Sequence, residues 1–181
     1  LVYPGIGWAL WRDESDIPES LITETNVLGF LEKSFSLNFS RGGAMILAQY
    51  YNFIRLGKEG YKEVQNTMRE NARYLASRIS ELSRFNIIND GTYTPSCCIC
   101  LKDESKFNGS DLVHKLAEKG WIIPAFSMPA NAQSVNAIRM NIKETFSRDM
   151  ADILVSDIKI ALDNLDSIYS SPHHKVGTHH H

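Results

Sequence analysis

Ala137-Ile138-Arg139-Met140-Asn141-Ile142-Lys143 is the stretch on which the fold turns. Its side chains alternate, with Ile138, Met140 and Ile142 falling to one side of an extended chain and Arg139, Asn141 and Lys143 to the other. That period of two marks a strand with one face on a core and one face away from it. Downstream, Ser147 stands as the cap of a helix running from about Arg148 to Leu165. Upstream, a turn-rich loop at Met128-Pro129-Ala130-Asn131-Ala132 separates it from an apolar strand at 121–126. Before that strand the spacing predicts a helix capped by Ser110 and closed by Gly120, then a strand at 97–101, the turn Asn89-Asp90-Gly91, and a strand at 85–88. The order β-β-α-β-β-α implies a small two-layer α+β domain with one open-faced sheet.

Further upstream, Tyr61, Val64, Met68, Ala72, Leu75, Ile79 and Leu82 recur every three or four residues, which predicts a long amphipathic helix. A coiled coil competes with that reading, but the run holds only about three heptads before the chain turns strand-like, so packing onto the sheet is favoured. A second helix is expected from Ser40, standing as N-cap, through Ala44-Met45-Ile46-Leu47-Ala48 to Gly57. It is apolar on most of its circumference and needs cover on several sides, from its own domain or from another subunit. Residues 13–38 show no sustained period and are expected to form a functional loop. Gly7-Trp8-Ala9-Leu10-Trp11-Arg12 reads as a short buried strand.

The 181 residues include 43% hydrophobic and 22% charged side chains, a globular balance. Nineteen Lys and Arg stand against 21 Asp and Glu, for a net charge of −2, with no long basic run, so nucleic acid is not an expected partner. No stretch approaches the roughly 18 apolar residues of a membrane span, and the first residues show no basic region followed by an apolar one. No membrane association is expected, and the chain reads as cytoplasmic. Cys97, Cys98 and Cys100 are too close for an ordinary disulfide framework and lack a second metal-ligand pair, so they read as small apolar residues of a buried strand. No metal site is predicted.

Few side chains invite chemistry. Arg139 stands off the core face, where its fixed fork of donors matches a carboxylate; a solvated strand face is the competing reading. Ser40, followed by Gly42 and Gly43, places free backbone N–H groups where a phosphate would fit, although simple helix capping accounts for the same residues. His114 reads as an ordinary surface or half-buried residue. There is no Gly-rich phosphate loop and no supported Ser-His-Asp arrangement, so the chain is expected to be inactive alone.

Several short motifs in order resemble the C-terminal part of glutamate decarboxylase, of the plant and bacterial type, a pyridoxal-phosphate-dependent group II decarboxylase. They are Gly5-Ile6-Gly7-Trp8, Asn38-Phe39-Ser40-Arg41, Gln49-Tyr50-Tyr51, Ile54-Arg55-Leu56-Gly57 with Glu59-Gly60-Tyr61, Trp121 with Pro124-Ala125-Phe126, Met128-Pro129 with Asn131-Ala132, Arg139, and Phe146-Ser147-Arg148. The resemblance implies an α/β protein of the aspartate-aminotransferase type (fold type I). Residues 1–65 would be the end of its cofactor-binding large domain, 66–168 a small C-terminal domain and 169–181 a tail. It implies pyridoxal 5′-phosphate as cofactor, L-glutamate as substrate, γ-aminobutyrate and carbon dioxide as products, and a homo-oligomer, a dimer or larger, formed through the large domain. Other readings remain open at this point: a decarboxylase of a different amino acid, or a non-catalytic dimerisation module.

The family's roles carry over only to matching positions. Arg139 corresponds to the arginine that meets the substrate's α-carboxylate. Phe39 and Ser40 correspond to residues reaching the cofactor of the neighbouring subunit, Ser40 near its phosphate. The lysine that anchors the cofactor covalently is expected upstream of Leu1, because the chain reads as a piece of a longer polypeptide. One departure is Val27, where family members commonly carry a tyrosine in a mobile loop over the site; valine cannot donate a proton, so a less faithful protonation step is expected. Phe30, Leu31 and Glu32 also depart from the usual loop. His173 and His174 stand where some bacterial members carry a tail that closes the site at neutral pH, while Gly177-Thr178-His179-His180-His181 resembles an expression tag.

Overall fold

The computed structural model describes residues 2–26, 29–34 and 42–170. The positions expected to serve as loop residue (Val27), cofactor contacts (Phe39 and Ser40) and histidine tail (His173 and His174) lie outside the described residues. The chain divides into two compact units, Leu1–Gly60 and Tyr61–His181.

In the first unit, residues 7–12 form no strand; Trp8 is 57% and Leu10 90% exposed. The expectation of a buried strand fails because no neighbouring strand among the described residues offers the segment a ladder of N–H and C=O partners. The region expected to be one irregular loop instead holds 3-10 turns at Glu14–Asp16 and Glu19–Leu21 and an antiparallel hairpin, β1 (Thr23–Thr25) with β2 (Glu32–Ser34). These pieces are too short for any sequence period to betray them.

Helix α1 runs Ala44–Ser80 and breaks at Gly57, whose φ of 56° and ψ of −172° are open only to a residue without a Cβ. The two predicted helices therefore meet at one glycine. Leu47 N donates to Gly43 O at 3.0 Å at the start of α1, while Ser40, expected as its cap, lies outside the described residues. Before the break, Met45, Ile46, Leu47, Tyr50, Tyr51 and Ile54 remain exposed, while Gln49 and Asn52 are buried and Asn52 Nδ2 donates to Tyr3 Oη at 3.1 Å.

The second unit contains β3 (Phe85–Asn89), β4 (Ser96–Leu101), α2 (Gly109–Ala117), β5 (Ala125–Ser127), β6 (Asn136–Asn141) and α3 (Arg148–Ser170). The strands form one antiparallel sheet in the order β3-β4-β6-β5. Register decides what faces what: Cys97 pairs with Met140 and Ile99 with Ile138, and all four belong to the core. Ala72, Leu75, Ala76 and Ile79 of α1, Leu112 and Leu116 of α2, and Leu154, Ile158 and Leu162 of α3 complete that core, so the periodic helix packs on the sheet. Gly91 closes the β3–β4 turn at φ +86°, and a Cβ there would stand 2.6 Å from Ala72 Cβ.

Two expected elements need correction. The cap of α2 is Asn108, whose side chain accepts from Ser110 N and Asp111 N while Asp111 reaches back to Asn108 N, a reciprocal arrangement that Ser110 cannot make from inside the helix. Residues 121–124 are not strand, because Trp121 N turns back to Leu116 O at 3.1 Å and Pro124 has no N–H to give a ladder; pairing starts at Ala125. Ser147 caps α3 as expected, its Oγ accepting from Met150 N. Polar ties hold α3 in place: Arg84 forks onto Asp166 at 2.8 and 3.4 Å, and Tyr74 and Arg78 both donate to Asp152 at 3.0 Å. Among the described residues no helix is long and apolar enough to cross a membrane.

Candidate functional site

The candidate site centres on Arg139 of β6, which stands on the side of the sheet away from the apolar core. Because β6 alternates, burying Ile138 and Met140 turns Arg139 to the other side, where it is exposed. Cys98 of β4 lies directly opposite it, and the Cys98 thiol is raised by burial, an effect the Arg139 charge partly offsets. On the core side Cys97 is pushed up to about 12, chiefly by burial, so it stays a neutral thiol. The three cysteines are thus strand residues with free thiols, in keeping with their small apolar reading. No group of metal-ligating side chains occurs among the described residues.

The Arg139 guanidinium lies over the ring of Phe126, 5.5 Å from its centroid. Phe126 is brought there by the pairing of β5 with β6, in which it opposes Ala137, two residues from Arg139 on the same face. Arg139 N donates to Pro124 O at 3.2 Å, anchoring the backbone just beyond the paired stretch. Among the described residues no carboxylate forms an ion pair with Arg139. The groove beside it, about 270 Å³, runs along the edge of β6 between Trp121, Pro124 and Lys143, the core-side Met140 and Ile142, and Leu154 of α3; its lining includes two cations and no acidic residue. A small carboxylate is the ligand such a groove suits.

The first unit carries a separate hollow of about 360 Å³, lined by Gly5, Ile6, Gly7, Trp8, Gly42, Met45 and Ile46 at the start of α1. A Cβ built at Gly5, Gly7 or Gly42 meets nothing within 4 Å, so the hollow is roomy at its glycines. The first N–H groups of a helix have no intrahelical acceptor, which makes this end of α1 fit for a phosphate. His114 is exposed on α2 and is not part of the groove beside Arg139. Phe126 is the residue that sequence reasoning left without a role. Its signal lay in strand pairing, which shifts an aromatic beside the arginine only when β5 and β6 are set in register.

Residues 1–102 match a family profile described as the pyridoxal-dependent decarboxylase conserved domain. The chain is 42% identical to Glutamate decarboxylase 3 of Arabidopsis thaliana over 178 residues, covering 98% of this chain and 36% of the relative. It superposes on the solved glutamate decarboxylase of Lactobacillus brevis with a TM-score of 0.82 at 36% identity, covering 91% of this chain and 38% of that one. A cysteine desulfurase from Escherichia coli, at 15% identity, shares the fold with a TM-score of 0.58 over 80% of this chain and 37% of that one. The architecture is thus α/β and like that of fold type I pyridoxal-phosphate enzymes. The chain spans about a third of the length of the curated relatives it matches.

Proposed function

The chain belongs to the pyridoxal-dependent decarboxylase family, as a glutamate decarboxylase-like C-terminal portion, and from that premise we propose that it forms part of an enzyme converting L-glutamate to γ-aminobutyrate and carbon dioxide. The fold would be of the aspartate-aminotransferase type, with residues 1–65 closing the cofactor-binding large domain and 66–168 forming the small one. The active polypeptide would be a cytoplasmic homo-oligomer assembled through the large domain, and its anchoring lysine would precede Leu1. The observation that carries this reading is the Arg139 guanidinium, which has no carboxylate partner among the described residues and borders a groove whose lining holds no acid.

Pyridoxal phosphate, when bound, supplies the electron sink for the pair released as the bond to carbon dioxide breaks. The residues of this chain bind and orient. Arg139 presents two parallel N–H donors to the α-carboxylate, fixing the plane of the group to be expelled; an ammonium at that place would hold its charge but not its plane. Trp121 and Pro124 give the groove beside the clamp an apolar wall. Phe39 and Ser40 would reach the cofactor of the neighbouring subunit, Ser40 near its phosphate. Val27 brings no exchangeable proton, so a proton needed over the site comes from elsewhere.

The test uses the full-length polypeptide read from the source transcript. It should turn L-glutamate into γ-aminobutyrate, and Arg139→Lys should lower kcat/KM by about 100-fold or more, the scale of a lost bidentate charged contact. A transcript that starts at Leu1, or an Arg139→Lys enzyme of unaltered kcat/KM, would overturn the reading.

A further inference from the structure

Arg139 differs from the two other arginines of its unit that lie over an aromatic ring. Arg84 lies over the Phe107 ring at 5.9 Å, but its fork is already spent on Asp166. Arg148 lies over the Tyr74 ring at 5.3 Å, beside a hollow lined by Glu70 as well. Arg139 has the ring of Phe126 and a groove with no acid. Its neighbours across and along the sheet are Cys98 and Asn141, neither of which carries a charge of opposite sign.

This difference has a chemical consequence. A carboxylate that positioned Arg139 would occupy the donors a ligand needs and cancel the charge that attracts it. An aromatic face attracts the cation through its quadrupole and takes none of the in-plane N–H donors. A ring is therefore the partner that restrains a guanidinium while leaving its fork for an incoming carboxylate. Restraint matters because a free arginine side chain loses rotamer entropy when it is fixed, and a prior contact removes part of that cost from ligand binding.

We propose that Phe126 is the positioning residue of the carboxylate clamp: its ring, set beside Arg139 by the β5–β6 register, holds the guanidinium in its binding orientation with the donor fork open. The proposal rests on the carboxylate-binding reading of Arg139 given above. It adds a second residue to that reading and assigns Phe126 no contact with substrate.

Two measurements decide it separately. In the 181-residue chain, labelled with nitrogen-15, the Arg139 Nε–Hε signal is identified by its loss in Arg139→Gln. Phe126→Leu should remove the ring-current displacement of that signal and raise its fast mobility, whereas Phe126→Tyr should keep both. In the full-length enzyme, Phe126→Leu should raise KM for L-glutamate about three- to thirty-fold, the range expected from one cation–π contact, with a smaller change in kcat; Phe126→Tyr should restore KM. An Arg139 signal indifferent to Phe126→Leu overturns the proposal whatever the enzyme does. If the signal responds but Arg139→Gln leaves KM unaltered, the carboxylate reading falls, and the positioning role falls with it. A Phe126→Leu enzyme that loses kcat and KM together with its fold, while Phe126→Tyr fails to rescue, also counts against it.

Discussion

The two faces of the four-stranded sheet are made from the same strands and behave as different materials. Toward the helices, Cys97, Ile99, Leu101, Ile138 and Met140 are all buried in one core cluster with apolar side chains of α1, α2 and α3. Toward the other side stand Cys98, Cys100, Ala137, Arg139 and Phe126, with small residues sheltered by long ones and a guanidinium left without an acid. The contrast teaches that one strand can serve stability and recognition at adjacent positions, because successive side chains point to opposite faces.

The sharpest way to break this contrast is to substitute neighbours on β6. Ile138→Ala should destabilise the chain by about 2–5 kcal/mol, the cost of lost burial plus a cavity, while Arg139→Gln should stay within about 0.5 kcal/mol of the parent, as exposed substitutions do. Urea denaturation of the 181-residue chain measures both. Comparable losses at the two positions would show that the outer face is also structural.

A smaller effect concerns pH. Asp152 is lowered from the usual 3.8, first by its hydrogen bond from Arg78 and then by that from Tyr74. Its folded value lies below the unfolded one, so its contribution is present above the ordinary carboxylate range and is lost as pH falls through the folded value. Thermal melts should thus show the parent losing Tm on acidification more steeply than Asp152→Asn, the two curves converging in acid. Because the pair is largely exposed, the separation at neutral pH should be modest. The smallest readout is thiol accessibility: Cys100, half-buried, should be alkylated in the native chain before Cys98, and Cys97 last. Simultaneous alkylation would mean the faces open together.

Much of the second unit was legible from sequence. The period of Met68, Ala72, Leu75 and Ile79 and the alternation through Ile138, Arg139 and Met140 both matched the structure, because each repeats long enough to be read. The short elements were not legible. A three-residue strand such as β1 holds no repeat, and the strand expected at 121–126 shrank to Ala125–Ser127 because a proline and a backward hydrogen bond outweighed its apolar composition. The cap of α2 was misplaced by two residues, since Asn108 and Ser110 are both good caps and only the reciprocal bond with Asp111 separates them.

The amino-acid order by itself determined that Arg139 leaves the core face, that Gly57 interrupts α1, and that the three cysteines behave as apolar strand residues, all consequences of local geometry and side-chain chemistry. Only the tertiary structure decided that the ring beside Arg139 is Phe126 and that no carboxylate among the described residues claims its fork. Both depend on which strands pair and in what register, and register is a property of contacts between residues far apart in the chain, which no local pattern specifies.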